Sequence, residues 1–401
     1  MSDEKEIKTT LFTKIIGLFA SFGLVVLSTR IWGADGRGYI SIFLADAALI
    51  AVFSNILAGS SAMYYMKKFG RKKVFISSIC WVIFSSFLGS LLLSLFQPLN
   101  FWFLTSLSFA ISFHTLVVNQ LFVNQNFRKA NLLSALVQIF FVVSLYVFWQ
   151  SNIQTSWEFY FLYQIICSIV FSMFFINYKF DSLIRWEEFC AMFHYGWQNE
   201  LSYIFQFLSY RISYFFIYHE LSISDLGVFG IMVIFVESIW VASNSISIVL
   251  FAKQLDDKEE LAGIQRAQRF AKYSFWFSLL GILFILLIPN SVIMSVFSKE
   301  FSSSKLIFMI LAPGALAIAV STIYGHFFAA ENNQTILIKK SIAGFVVSLF
   351  LTPLLIHYYG IVGATSAMSI SYLVSSVVLI HAFYKRKNEI VGNQFNSQEL
   401  S

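Results

Sequence analysis

Residues 39–59 read YISIFLADAALIAVFSNILAG, 21 positions with a single charge, Asp46. A helix needs about 20 apolar residues to cross the hydrocarbon of a bilayer, whereas core strands run to about 8. The stretch therefore reads as a membrane span that keeps one carboxylate inside it. The rest of the chain agrees. Of 401 residues, 58% are hydrophobic, 18% aromatic and only 12% charged, so much of the surface must face lipid. Four prolines, nineteen glycines and the lack of low-complexity runs exclude collagenous and disordered classes. The polar start, 1–10, runs into an apolar stretch without a small-residue cleavage site and reads as leading to an anchor, not a signal peptide.

Working outward, charged or turn-forming breaks divide the chain into twelve spans. They run Leu11–Ser28, Tyr39–Gly59, Val74–Phe96, Phe101–Val123, Leu132–Trp149 and Phe159–Ile176, then Tyr195–Ile217, Leu226–Phe251, Tyr273–Asn290, Leu306–Phe327, Ser341–Tyr358 and Ile361–Phe383. An even number puts both termini on one side, and the bias of Lys and Arg toward cytoplasmic loops selects it. Arg30, Arg37, Lys299 and Lys305 fall on one side, Lys14 and Arg211 lie inside spans, and the other 21 of the 27 bases fall opposite. Both termini are thus expected in the cytoplasm. The formal charge of +6 sets topology and does not point to nucleic acid. Trp32, Trp102, Trp149 and Trp157 fall at outer span ends, as aromatic anchors would. Cys80, Cys167 and Cys190 are too widely spaced for a metal site and read as small core residues.

The fold class expected is an all-α polytopic membrane protein of about twelve transmembrane helices in two six-helix bundles around a central cavity. The domains are 1–177, an N-terminal bundle; 178–194, a cytoplasmic interfacial linker helix; 195–383, a C-terminal bundle; and 384–401, a polar cytoplasmic tail. In the linker region Leu183, Ile184, Trp186, Phe189 and Phe193 recur at helical spacing. A weak repeat at an offset of 189 aligns Ser54-Asn55-Ile56 with Ser243-Asn244-Ser245, and each half carries a carboxylate in the matching span, Asp46 and Glu237.

A charge at the bilayer centre costs on the order of 3 kcal/mol on insertion scales, so each one retained is a functional candidate. They cluster: Lys14 in span one, Asp46 in span two, Glu200 and Arg211 in span seven, Glu237 in span eight. Glu200 and Arg211, 11 apart, share a helix face, as do Glu237 and Asn244, 7 apart. Span four carries a polar stripe of Ser108, Ser112, Thr115, Asn119 and Asn126, which reads either as interhelical glue or as the lining of a wet path. Neither GxxxxGK[ST] nor GxGxxG occurs, and external loops lack a clustered catalytic set, so neither nucleotide binding nor enzymatic activity is expected. No cofactor or metal is expected either.

Several segments resemble the polysaccharide flippases of the multidrug, oligosaccharidyl-lipid and polysaccharide exporter superfamily. They are Ser28-Thr29-Arg30-Ile31-Trp32-Gly33 with Gly36-Arg37-Gly38-Tyr39, then Arg211 followed by Asp225-Leu226-Gly227-Val228-Phe229-Gly230, and the late segments Leu311-Ala312-Pro313-Gly314 and 353–364. The resemblance implies a transporter of the bacterial cytoplasmic (inner) membrane. Its cargo would be a polyprenyl-diphosphate-linked oligosaccharide, such as an O-antigen or capsule repeat unit, flipped from inner to outer leaflet by alternating access. Arg30, Arg37, Arg211 and Lys14 would attract the diphosphate or acidic sugars, and Glu200, Asn119 and Asn244 would meet the sugars. Asp46 and Glu237 would couple transport to protons or sodium. Polysaccharide-assembly proteins are implied partners. Drug exporters of the same fold are the alternative, and a membrane-embedded enzyme of polysaccharide assembly is a remote one.

Overall fold

A computed structural model describes residues 2–96, 100–151, 156–176, 183–256, 260–331 and 333–399, with side chains from 16 to 392 apart from 18, 248, 251–253, 255 and 256. Every regular element among the described residues is helical. The helices are α1 (Ser2–Ala58), α2 (Ser60–Lys68), α3 (Arg71–Ser94), α4 (Phe101–Val123), α5 (Phe127–Gln150), α6 (Glu158–Phe174), α7 (Trp186–Glu220), α8 (Ile223–Asp256), α9 (Glu260–Leu287), α10 (Asn290–Val296), α11 (Ser304–Ala330) and α12 (Gln334–Glu399), with a 3₁₀ turn at Lys299–Ser303. The chain forms two compact units, Met1–Ile204 and Phe205–Ser401.

Eight helices among the described residues are long and apolar enough to cross a membrane. The difference from twelve expected spans has a physical cause at each place. Spans one and two are one helix, α1, turned at Gly33 (φ 67°, ψ −166°), and spans eleven and twelve are one helix, α12, turned at Gly360 (φ 56°, ψ −135°). Both conformations are closed to residues with a Cβ, so a single glycine replaces the loop that a charge-based reading draws there. Helix α6 is apolar but only 17 residues long, and α7 breaks its apolar run with Glu200, Gln206 and Arg211 and continues unbroken through the expected linker–span boundary at 194. Residues 177–182 of that linker lie outside the described residues. The protein is a multi-pass membrane protein. Phe284, Leu287 and Phe350 are 70–79% exposed, an arrangement that only lipid tolerates on helices this long.

In the first unit α1 packs against α3, α4 and α5. Small polar residues let the helices approach: Ser54 and Ser85 share a 2.7 Å hydrogen bond, and Ser78 donates to the Leu57 carbonyl at 2.6 Å. The first half of α7 docks here too, at Gly196, where a Cβ would overlap the Ile56 carbonyl oxygen. Trp32 and Trp157, expected as interfacial anchors, are partly buried and pack beside the Gly33 turn: Trp157 stacks on Tyr39 at 4.9 Å and Trp32 on Phe148 at 6.4 Å. The tight turn draws these rings onto neighbouring helices. Trp102, by contrast, is 70% exposed. Of the cysteines only Cys167 is buried. Cys80 and Cys190 lie on exposed helix faces, which in a lipid-facing protein can be apolar without being core.

In the second unit α11 is the centre, packed against α8, α9 and α12. Pro313 interrupts its hydrogen-bond ladder. At the next residue, the Gly314 N–H donates to Ser369 Oγ of α12 at 3.2 Å, and a Cβ there would stand 2.8 Å from the Ser369 carbonyl oxygen. Beyond the apolar body, Arg386 of α12 reaches Glu260 of α9 and Glu331 after α11, each at 3.4 Å, and ties three helix ends together.

Candidate functional site

The second unit holds the most complete polar constellation. Arg211 of α7 pairs with Glu237 of α8, Nη2 to Oε1 at 2.7 Å, and its Nη1 donates to the Tyr214 hydroxyl at 3.0 Å. The guanidinium also lies over the Tyr214 ring, 5.1 Å from its centroid. The spacing explains the geometry, since residues three apart on a helix are neighbours on its surface. Around the pair stands an aromatic cage: Tyr210 meets Tyr372 at 4.9 Å and Trp240 at 5.5 Å, and Trp240 meets Tyr372 at 5.4 Å. Trp240 is pinned by donating Nε1–H to the Ala315 carbonyl of α11 at 3.0 Å. Tyr372 is fully buried, and its hydroxyl has no hydrogen-bond partner among the described residues. The pair is half-buried, with side chains 23% and 32% exposed.

One turn back along α7 a second cation appears. Lys340 of α12 donates to Gln206 Oε1 at 3.0 Å, and Gln206 Nε2 donates to the Tyr210 hydroxyl at 3.1 Å. A charge count by loops assigns Lys340 to the cytoplasm. The helix begins earlier, at Gln334, and so carries Lys340 into its second turn against α7. Ser209 and Ser371, 2.9 Å apart, and Ser371 donating to the Gly344 carbonyl at 2.7 Å hold α7 close enough for this network.

The first unit contains a different arrangement. Asp46 is fully buried, and both carboxylate oxygens lack a hydrogen-bond partner among the described residues. Arg37 is 2% exposed and donates to Ser28 Oγ at 3.2 Å, with Tyr160 beside it. It sits in the bundle just past the Gly33 turn, not in an open external loop, because the turn leaves no loop to hold it. Asn119 donates to the Ala58 carbonyl at 3.1 Å, at the end of α1. Glu200 faces the same break: a Cβ on Gly59 would stand 3.3 Å from its Oε1, and neighbouring Asn199 donates to Ser60 Oγ at 3.4 Å. In the polar stripe, Ser108 and Ser112 are buried without partners among the described residues and Thr115 bonds its own helix; His114, beside the stripe, meets Ser172 Oγ at 3.2 Å.

Of the residues singled out from sequence, Arg211 and Glu237 come together as an ion pair, and Asn119 and Glu200 converge on the Ala58–Gly59 break. Arg30 and Asn244 are exposed. The Lys14 side chain lies outside the described residues. The sequence reading missed Tyr210, Tyr214, Trp240, Tyr372, Gln206 and Lys340. The signal available for three of them was spacing: Gln206, Tyr210 and Tyr214 follow at intervals of four on the helix that carries Arg211.

No family profile matches the chain. Over 100 residues, a quarter of the chain, it is 31% identical to a protein named as the low-salt glycan biosynthesis flippase Agl15 of Haloferax volcanii. Over 190 residues, 44% of the chain, it is 28% identical to a protein of the Lsg locus of Haemophilus influenzae. These matches span 21% and 46% of the two relatives' own lengths. Among solved structures, an inward-facing multidrug resistance transporter of the MATE family, in the MOP superfamily, superposes with a TM-score of 0.73 at 13% identity. It covers 94% of this chain and 96% of its own. The lipid II flippase MurJ superposes with a TM-score of 0.73 at 15% identity, over 94% of this chain and 87% of its own. The fold is thus the one shared by these transporters, and the segments that resemble polysaccharide flippases lie within it.

Proposed function

We propose that the protein is a flippase that moves a polyprenyl-diphosphate-linked oligosaccharide from the inner to the outer leaflet of the bacterial cytoplasmic membrane. The product would feed surface polysaccharide synthesis, O-antigen of lipopolysaccharide among the outcomes, with both termini in the cytoplasm and assembly proteins as partners. The role is transport, not catalysis. The physical task is to carry a diphosphate and sugars across about 30 Å of hydrocarbon while the polyprenyl tail stays in lipid.

The observation that carries this reading is Arg211, held inside the second unit by Glu237 and Tyr214 and walled by Tyr210, Trp240 and Tyr372. A guanidinium offers two parallel N–H donors to phosphate oxygens, and its carboxylate partner keeps it oriented when no anion is bound. Aromatic faces pack on the apolar faces of sugar rings, and the Tyr372 hydroxyl, buried here and without a hydrogen-bond partner among the described residues, would bond a sugar once the helices part. Lys340 would add charge nearby through Gln206. Lys14, Arg30, Arg37, Asn119, Glu200 and Asn244 are proposed to serve the substrate path, Arg37 by holding the Gly33 turn through Ser28. Ion coupling, by proton or sodium, is assigned to Asp46, a buried carboxylate whose oxygens no described residue satisfies.

The test is substitution at Arg211 in cells whose surface polysaccharide depends on this protein. Arg211→Ala is expected to abolish surface display at normal expression, and Arg211→Lys to lower it about tenfold through loss of the bidentate geometry. Wild-type display in Arg211→Ala removes Arg211 from the mechanism. A change in cation-drug resistance on expression, with polysaccharide unaffected, selects the drug-exporter reading instead.

A further inference from the structure

Two clefts on the first unit lie along α3. One, of about 310 Å³, lies between Ile50 and Phe53 of α1 and Phe84, Leu88 and Leu92 of α3. The other, of about 400 Å³, is walled by Cys80 of α3 and by Leu183, Trp186 and Phe189 at the start of α7. Trp81 and Phe84 line both, so the clefts adjoin at these two side chains. The floor is fixed: Trp81 donates Nε1–H to the Phe53 carbonyl at 3.2 Å, Ser54 bonds Ser85, and Ile184 N–H donates to Ser77 Oγ at 3.1 Å. Gly89 lets α1 lie close, since a Cβ there would stand 2.8 Å from Ile50 Cγ1.

The two ends of the groove differ in charge. Lys73, Ser77, Cys80, Phe84 and Leu88 share one face of α3 at helical intervals, so the apolar stripe begins at a lysine. Lys72 and Lys73 are exposed there, and Lys73 stands within electrostatic reach of Glu188, whose carboxylate is already engaged by Arg185 at 3.3 Å. An occupant is therefore an apolar chain with an anionic end at the lysines. Length then separates the lipids that fit that description. From Ser77 to Leu93 the helix rises about 24 Å at ~1.5 Å per residue. One leaflet offers only about 15 Å, half of the ~30 Å hydrocarbon core. A phospholipid acyl chain confined to its own leaflet falls short of the groove, whereas a polyprenyl chain fills it.

Resting on the flippase reading above, we propose that this groove binds the polyprenyl tail of the lipid-linked substrate at an entry step, with the diphosphate end held at Lys72 and Lys73 before it engages Arg211. The full chain in phosphatidylethanolamine vesicles is photolabelled with a long-chain polyprenyl diphosphate bearing a diazirine on its tail, and adducts are mapped by mass spectrometry. Adducts are expected on α3 between Phe84 and Leu92, competed by unlabelled undecaprenyl diphosphate and not by an equal amount of phosphatidylglycerol. Leu88→Trp, which fills the groove, is expected to cut labelling about tenfold. The pair Lys72→Ala with Lys73→Ala, at exposed positions, is expected to cut it severalfold. No adducts on α3, equal competition by phosphatidylglycerol, or labelling that both sets of substitutions leave unchanged overturns the proposal. Flipping of a fluorescent lipid-linked oligosaccharide in the same vesicles keeps the two readings apart. Flipping without α3 adducts overturns the groove alone, while α3 adducts without flipping support the groove and overturn the flippase.

Discussion

Arg211 shows how a residue's partners decide its chemistry. Alone in a span it is a costly cation; beside Glu237 it is a neutral pair, and in the proposed transport a phosphate oxygen would compete with the carboxylate for its N–H donors. Tyr372 is the more telling neighbour, because its buried hydroxyl has nothing to bond among the described residues. A buried unsatisfied hydroxyl costs about 1–3 kcal/mol, so a fold selected for stability alone would place Phe there. Tyr372→Phe is therefore expected to raise stability by about 1 kcal/mol, seen as a higher melting temperature in detergent, while lowering flipping of an oligosaccharide-bearing lipid. If the variant melts higher and flips at the wild-type rate, the hydroxyl does not touch the sugars.

At the scale of elements, the turns at Gly33 and Gly360 matter most, since each divides one continuous helix into two segments. Gly33→Ala places a Cβ in a region open essentially to glycine and is expected to cost about 1–3 kcal/mol, read as a lower melting temperature against an Ala34→Gly control. The tie between helix ends in the second unit yields a pH effect. Burial raises the Glu331 carboxyl above the ordinary glutamate value; Arg386 opposes the rise and Glu260 adds to it. Because the folded value lies above the unfolded one, the unfolded chain gives up this proton first as pH rises. Stability at this position is thus full below the unfolded value and declines as pH climbs to the folded value. Glu331→Gln is expected to flatten that part of the melting-temperature profile above about pH 4, where an unperturbed glutamate ionises. An unchanged slope assigns the pH dependence elsewhere. Glu260, Glu331, Arg386 and Glu389 together line one polar cleft, and Glu389 is the next residue to substitute.

For the whole molecule, what was legible in the sequence was what hydropathy controls. Spans such as 39–59 and 101–123 announce themselves by length, and the intramembrane charges by rarity. The rest was hidden for identifiable reasons. A glycine turn with two dihedral angles does the work expected of the loop between Ser28 and Tyr39, and in a chain with 18% aromatic residues nothing marks Tyr210, Trp240 and Tyr372 as a cage. The sequence also treats Asp46 and Glu237 as equivalent carboxylates in matching spans, but their surroundings differ. Glu237 is committed to Arg211, whereas the oxygens of Asp46 are unclaimed among the described residues. If transport is coupled to a cation, Asp46 is the residue free to bind it, and substituting the two should have different consequences. Asp46→Asn is expected to abolish the dependence of flipping on an imposed membrane potential. Glu237→Gln is expected to slow flipping by loosening Arg211 while leaving that dependence in place. One charge moved across 100 mV is worth about 2.3 kcal/mol, so in proteoliposomes the wild-type distribution between leaflets should shift about fiftyfold on imposing that potential. If both variants keep the shift, neither carboxylate couples an ion. If only Glu237→Gln loses it, the coupling site is the Arg211–Glu237 pair, and Asp46 serves the first unit alone.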